Sequence, residues 1–284
     1  MDLLYHYTSA SGLLGILDKY TEETPALSMW ATNALYMNDP SEFRLGQYVF
    51  HTILPDIEAE LNIPESEQLS LAVQTMIQEG VFDKLEVGGS ARVETINQGI
   101  AYVLSLSQER DTLPMWRMYT QNGNGLAIVF DKKMLTELYG ESLKECMYAT
   151  QGNYGEFKEI VKNEYIQYKQ DNSFLRLCNP YIQLMFITHL YHRFCAYLKN
   201  SAYAYEKEVR LKATSADKIL YREKDGLIIP YVTIRIPISC VKEIIIGPTA
   251  DPIRMKMSIS MYLQSKGIDD SLINISHSNI PYRG

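Results

Sequence analysis

The segment Tyr205-Glu206-Lys207-Glu208-Val209-Arg210 holds the densest set of chemically capable side chains in this chain. As a strand it would set Glu206, Glu208 and Arg210 on one face and Lys207 and Val209 on the other. That pattern admits two readings. A surface ion ladder is the ordinary fate of a charged strand face, which commonly points at solvent. Inside a cleft, neighbouring carboxylates would raise one pKa while Arg210 held the other ionised. Such a pair could stabilise an oxocarbenium-like centre and guide a nucleophile to it.

Three further segments carry usable groups. In Leu4-Tyr5-His6-Tyr7-Thr8-Ser9 the histidine faces away from Tyr5 and Tyr7, at the start of a strand–helix unit. A polar side chain there can reach a ligand from the sheet edge, although a lone strand histidine is more often structural. Ser105 and Ser107 share a strand face in Ser105-Leu106-Ser107, and Trp116 and Tyr119 stand at i, i+3 on the helix that follows. Aromatics at that spacing usually fill a core; lining a pocket against a flat ring is the alternative. His189 and His192 also stand at i, i+3, but no carboxylate completes a metal motif beside them, so no metal is expected. Neither GxSxG nor GxGxxG nor GxxxxGK[ST] occurs, which gives no support to a serine-hydrolase elbow, a Rossmann site or a P-loop.

The elements that must position these groups can be drawn from periodicity and breakers. Residues 3–7 read as a strand, with Thr8-Ser9 capping a helix from about Ala10 to Lys19 that buries Leu13, Leu14 and Leu17. A strand at 27–31 precedes the Asn38-Asp39-Pro40 turn and a helix from about Ser41. A helical, acidic block then runs to about residue 100, interrupted at Pro55, Pro64 and Gly88-Gly89. Strands follow at 101–107 and 126–130, separated by a short helix and the Asn122-Gly123-Asn124-Gly125 turn, with another at 143–149. A second helical block spans about 155–198, broken near Asn179-Pro180. From Tyr205 onward strands dominate, closed by a helix over about 251–264 and a last strand, Leu272-Ile273-Asn274-Ile275-Ser276. Strands and helices do not alternate regularly, so an α+β fold is expected rather than a doubly wound sheet. One α+β domain over 1–284, with mainly helical blocks at about 40–100 and 151–200, is the expected organisation.

Composition narrows the class. The chain has 284 residues, 46% hydrophobic and 21% charged, which describes a folded protein and not a disordered one. No run of 18 apolar residues predicts a membrane span, and Met1-Asp2-Leu3 lacks the basic lead of a signal peptide, so a cytoplasmic protein is expected. Cys146, Cys178, Cys195 and Cys240 lie far apart without CxxC spacing, which favours buried free thiols. Tyrosine is over-represented, 21 against 8 Phe and 2 Trp. The net charge of −7 is uneven: residues 199–284 hold 13 Lys+Arg and 9 Asp+Glu, whereas 1–198 hold 14 and 25. Charge-driven wrapping of nucleic acid is therefore not expected, while the basic C-terminal part could hold a local anion.

Taken together, LYHYTS, NDPSEF, MWRMY…GNGLAIVF, YEKEVRL and SNIPYR resemble the ordered motifs of an uncharacterised family of bacterial proteins, over Tyr5 to Arg283. That family looks similar to ADP-ribosyltransferases, whose split β core binds NAD. The resemblance implies an ADP-ribosyltransferase-like split β-sheet with helical insertions, and NAD as substrate. It assigns His6, with its neighbours Tyr7 and Thr8, to the first-strand ribose contact. Tyr36, Trp116 or Tyr119 would pack on nicotinamide, and Ser105 and Ser107 would form the hydroxyl strand. Glu208 would be the catalytic glutamate, with Glu206 second. Arg210, Arg117 and Arg44 are the candidates for the pyrophosphate. The implied activity is transfer of ADP-ribose to a macromolecular acceptor, protein or nucleic acid. A toxin or phage-defence effector of that kind would be restrained by an antitoxin or chaperone partner. NAD glycohydrolysis, and a non-catalytic ligand-sensing or interaction module, are the alternatives.

Overall fold

The computed structural model describes residues 2–37, 42–78, 101–149, 152, 154–171, 179–213, 218–224 and 226–282. Its elements in chain order begin β1 (Leu3–Thr8), α1 (Ala10–Leu17), β2 (Ala26–Asn33), α2 (Glu42–Glu60) and α3 (Leu69–Gln78). They continue with β3 (Tyr102–Ser107), α4 (Leu113–Tyr119), β4 (Leu126–Asp131), α5 (Lys132–Tyr139), β5 (Leu143–Glu145) and β6 (Met147–Ala149). Next come α6 (Gly155–Asp171), α7 (Pro180–Phe194), β7 (Leu198–Asn200), β8 (Glu208–Lys212), β9 (Leu220–Lys224) and β10 (Leu227–Pro237). The chain closes with β11 (Val241–Ile246), α8 (Pro252–Ser265) and β12 (Asn274–His277). The fold is mixed α and β, and it divides into two compact units. The first comprises 1–32, 102–146 and 205–284, the second 33–101 and 147–204.

The first unit is built on a ten-stranded mixed sheet in the order β12-β11-β4-β1-β3-β2-β10-β9, with β8 joined to β3 and β5. The β11–β12 pair is parallel, and the other registered pairs are antiparallel. Buried strands read as unbroken apolar runs, and β4, Leu-Ala-Ile-Val-Phe-Asp between β1 and β11, is buried at every residue. One core packs Leu4, Met29, Leu104, Ile128, Val209, Val232 and Ile244 against α1 and α8. Ser9 caps α1, its Oγ accepting from Gly12 N at 3.0 Å, as the sequence predicts. The buried stripe of α1 is Leu13, Ile16 and Leu17, whereas Leu14 is exposed because it lies about 100° round the helix from Leu13.

The second unit takes up the two helical blocks. Its core joins Val49, Phe50, Ile53, Leu54 and Ile57 of α2 to Phe157 and Val161 of α6, and to Phe186 and Leu190 of α7. The expected break at Pro55 does not occur: α2 runs through it. An interior proline costs about 3 kcal/mol, whereas each of the five buried α2 side chains contributes about 1.5–3 kcal/mol, so the continuous apolar face wins. Other departures have local causes. The expected strand at 143–149 is two strands, β5 in the large sheet and β6 paired in parallel with β7, parted at Cys146. Helix α5 was not anticipated; Asp131 caps it by accepting from Met134 N at 3.2 Å. Cys146, Cys195 and Cys240 are buried free thiols, and Cys178 lies outside the described residues. Asn38–Ser41 of the NDPSEF motif, Gly88-Gly89 and Arg283 also lie outside them. Among the described residues no helix is long and apolar enough to cross a membrane.

Candidate functional site

In the first unit the strands bearing the three chief sequence motifs are neighbours. β1 pairs with β3 through Tyr5↔Ser107, and β3 pairs with β8 through Ser107↔Glu208 and Ser105↔Arg210. Tyr5, Ser107 and Glu208 thus form one rung across three strands. The β1–β3 pairing is registered at that one position, whereas β1 and β4 pair along six residues. In an unbroken sheet His6 would face away from Glu208, since successive side chains alternate. Here the imidazole Nδ1 lies 3.0 Å from the carbonyl oxygen of Ser105 on β3. A carbonyl only accepts, so Nδ1 carries the proton and Nε2 of the neutral ring is an acceptor. Burial lowers the His6 pKa, the Ser105 bond opposes that, and the positive charge of Arg222 lowers it further.

The strand expected from Tyr205 begins only at Glu208. Glu206 ends a 3-10 segment, Ser201–Glu206, and Lys207 takes φ +40°, a left-handed conformation that interrupts strand geometry. Glu208 and Arg210 share a face of β8 by alternation, whereas Glu206 lies outside the strand and does not join them that way. Nor are they a surface ladder, since they are 2%, 5% and 1% exposed. Arg210 grips Glu208 with both ends of its fork, Nε to Oε1 at 2.9 Å and Nη2 to Oε2 at 3.0 Å. Glu206 is held separately: Tyr119 Oη donates to Oε1 at 2.8 Å, and Ser107 Oγ donates to the Glu206 carbonyl at 2.6 Å. Ser107 Oγ also accepts from Glu109 N at 2.9 Å, so one buried hydroxyl stitches the end of β3 to the turn before β8. Ser105 Oγ is buried without a partner among the described residues.

The aromatic residues are tied into the same region. Tyr7 meets Trp116 edge to face at 4.9 Å between ring centroids, and its hydroxyl lies 2.8 Å from the carbonyl oxygens of both Glu109 and Arg110. Burial, followed by the charge of Asp111, raises the Tyr7 pKa, so the phenol stays a donor. Trp116 Nε1 donates to Asp111 Oδ1 at 2.6 Å. The same carboxylate accepts from Ser278 Oγ at 2.7 Å and Asn279 N at 3.0 Å. Asp111 is thus the link between the MWRMY and SNIPYR motifs, a residue that sequence reasoning missed because one Asp in a loop gives no spacing signal.

The remaining sequence-derived residues divide as follows. Thr8 closes β1 opposite Leu126, with its hydroxyl only 2.1 Å from where a Cβ on Gly12 would stand. Trp116 is fully buried and Tyr119 half-buried. Tyr36 belongs to the second unit, where it is exposed at the end of a 3-10 turn. Of the arginines expected to meet a pyrophosphate, Arg210 is committed to Glu208 and Arg117 is exposed on α4, while the side chain of Arg44 lies outside the described residues. His189 lies 3.3 Å from Glu164, and the His192 side chain is outside the described residues. Among the described residues no group of three or more His, Cys, Asp or Glu is placed to hold a metal. A cleft of about 620 Å³ opens beside α8, lined by Ile253, Met257, Met261, Ile275 and His277 among others, and it contains none of these site residues.

A family model described as "Protein of unknown function (DUF2971)" matches residues 115–211, a span that begins at Met115 beside Trp116 and ends just past Arg210. His6, Ser105 and Ser107 lie outside that span. No curated protein and no solved structure matches the chain. What the chain is similar to is thus a family without an assigned function, over the segment that carries Tyr119, Glu206, Glu208 and Arg210.

Proposed function

We propose that this protein is an NAD-dependent ADP-ribosyltransferase, moving ADP-ribose to a protein or nucleic-acid acceptor. The observation that carries this reading is the side-by-side order β1-β3-β8, with the Tyr5–Ser107–Glu208 rung and the His6 ring lodged where β1 and β3 part. A split between strands bearing a His, small hydroxyls and a Glu suits the resemblance to an ADP-ribosyltransferase-like core. Cleavage of the nicotinamide–ribose bond builds positive charge at the anomeric carbon. A carboxylate that accepts from the ribose 2′-hydroxyl stabilises that charge more in the transition state than in the ground state. Glu208, clasped by the Arg210 fork, is the group proposed for that task. Glu206, steadied by Tyr119, would orient the nucleophile. The neutral His6, with Nε2 as an acceptor, suits a ribose hydroxyl. Nicotinamide leaves uncharged, so no general acid is required.

Incubation of the purified, folded protein with labelled NAD and cell extract tests the proposal. Labelled macromolecule is the expected product, and the absence of both transfer and nicotinamide release would refute it. Free ADP-ribose alone would identify a glycohydrolase. The near-complete burial of Glu206, Glu208 and Arg210 favours a second reading, a ligand-sensing module whose carboxylates only hold the fold. In that case NAD is left intact whatever it does to thermal stability.

A further inference from the structure

The ribbon β2–β10–β9 carries an arginine that the scheme above does not use. Thr32 pairs with Tyr231, Trp30 with Thr233, and Ile229 with Arg222. Opposed residues of antiparallel strands share a face, so Trp30, Thr32, Tyr231 and Arg222 stand together. Leu27, Met29, Ala31, Val232 and Ile234 fill the core from the other face. The Arg222 guanidinium lies 5.1 Å from the Trp30 ring centroid and 5.7 Å from that of Tyr231, and Nη2 donates to Thr32 Oγ1 at 2.9 Å. Its Nε is buried without a partner, and among the described residues no carboxylate meets it.

This is a half-buried charge with no counter-charge among the described residues. Desolvation lowers the Arg222 pKa, and the same charge opposes protonation of His6. Buried cations are ordinarily paired, because removing them from water without an anion is costly. Arg210, on the same sheet, follows that rule with Glu208; among the described residues Arg222 has no such partner. Nε–H, which meets no acceptor among the described residues, lies on the same edge of the guanidinium as Nη2, and that edge is the two-pronged donor that matches two oxygens of a phosphate.

We propose that Arg222, with Thr32 beside it, is the seat of a phosphate oxyanion carried by the ligand, a phosphate ester or a pyrophosphate. The Trp30–Tyr231 pair, 5.2 Å apart, forms the aromatic wall of that seat. The assignment rests on the NAD reading only for the molecule that brings the phosphates to it, and it moves the anion contact from Arg210 to Arg222.

Isothermal titration of the full-length protein with inorganic pyrophosphate, and separately with ADP-ribose, tests the seat at low ionic strength. Saturable binding of both is expected. Arg222→Gln should weaken it about tenfold or more, and Arg222→Lys, which keeps the charge but not the fork, should weaken it less. If Arg222→Gln fails to fold, Thr32→Val with Arg222→Lys supplies the same comparison. Absence of saturable pyrophosphate binding to the unmodified protein at millimolar concentration overturns the seat, as does equal affinity in the folded variants. Nicotinamide release by a protein whose anion binding ignores Arg222 sinks the seat and leaves the transferase standing. Arg222-dependent binding without any NAD cleavage supports the seat and refutes the transferase.

Discussion

Replacing Glu208 with Gln separates a buried ion pair from a surface ladder by magnitude alone. The carboxylate receives two hydrogen bonds, at 2.9 and 3.0 Å, from a guanidinium that is 1% exposed. A Gln amide keeps one acceptor and presents an NH2 to the other prong, leaving a buried cation without its counter-charge. Breaking such a pair from one side costs about 3–5 kcal/mol, a large share of the roughly 5–15 kcal/mol that holds a domain folded. An exposed pair would cost at most about 1 kcal/mol. The assay is urea unfolding followed by tryptophan fluorescence. Trp30 and Trp116 are the two tryptophans of the chain, and both belong to the first unit, so the signal reports that unit. The double variant Glu208→Leu, Arg210→Met should lose clearly less than the two single variants summed, because it removes both charges together. A loss under about 1 kcal/mol for Glu208→Gln, or simple additivity in the double variant, would refute the buried-pair account. The result also bears on catalysis: activity losses in Glu208→Gln must be measured at urea-free temperatures where the variant is demonstrably folded.

Three other perturbations follow from the same contacts. Burial raises the pKa of Glu243, but the Arg110 bonds at 2.7 and 2.9 Å and those from Ser276 and Asn274 outweigh it and hold the carboxyl below its ordinary value. Its stabilisation is therefore present above the unfolded pKa and lost as pH falls through the folded one, so Glu243→Gln should flatten the acid limb of a plot of urea midpoint against pH; an unchanged slope would contradict this. His6 should appear in nitrogen-detected NMR at neutral pH as the Nδ1–H tautomer, and Arg222→Gln should raise its pKa; an Nε2–H tautomer would show that the Ser105 contact is wrongly assigned. Asp111→Ala removes the acceptor shared by Trp116, Ser278 and Asn279, and should cost about 1.5–3 kcal/mol while speeding proteolysis after β12; protection equal to the parent protein would argue that Ile280 packing alone anchors the tail.

Much of the sheet was legible because buried strands leave unbroken apolar runs. Residues 126–130 stand out for that reason, and Ser9 signals the start of α1 by its cap. The start of β8 was not legible. Alternation predicts a strand from Tyr205, and nothing in Lys207 announces a positive φ, which follows directly on a Glu206 held by long-range contacts with Ser107 and Tyr119. Pro55 misled in the opposite direction, because local propensity carries less free energy than the apolar face of α2. At the candidate site, the structure sets His6, Ser105, Ser107, Glu206 and Glu208 on or beside adjacent strands, a placement that residue types alone do not dictate. Which guanidinium is already committed is a matter of tertiary contact: Arg210 and Arg222 look alike in a sequence, and among the described residues a carboxylate meets Arg210 but not Arg222.

The large sheet is threaded from three separated stretches of chain, and that order matters during synthesis. Strand β1 emerges first, yet its partners β3 and β4 follow about a hundred residues later, and β11, which covers the other edge of β4, comes later still. Contacts so distant in sequence are slow to form. A nascent chain that has made β4 but not β11 presents a fully apolar strand with an open edge, the kind of surface that recruits other chains or a holdase. The strand carrying Glu208 also reaches its neighbours only after the second unit has been completed. A chain cut short before β11 would therefore leave β4 unpaired along that edge, and one cut short before β8 would leave β3 without the strand that carries Glu208.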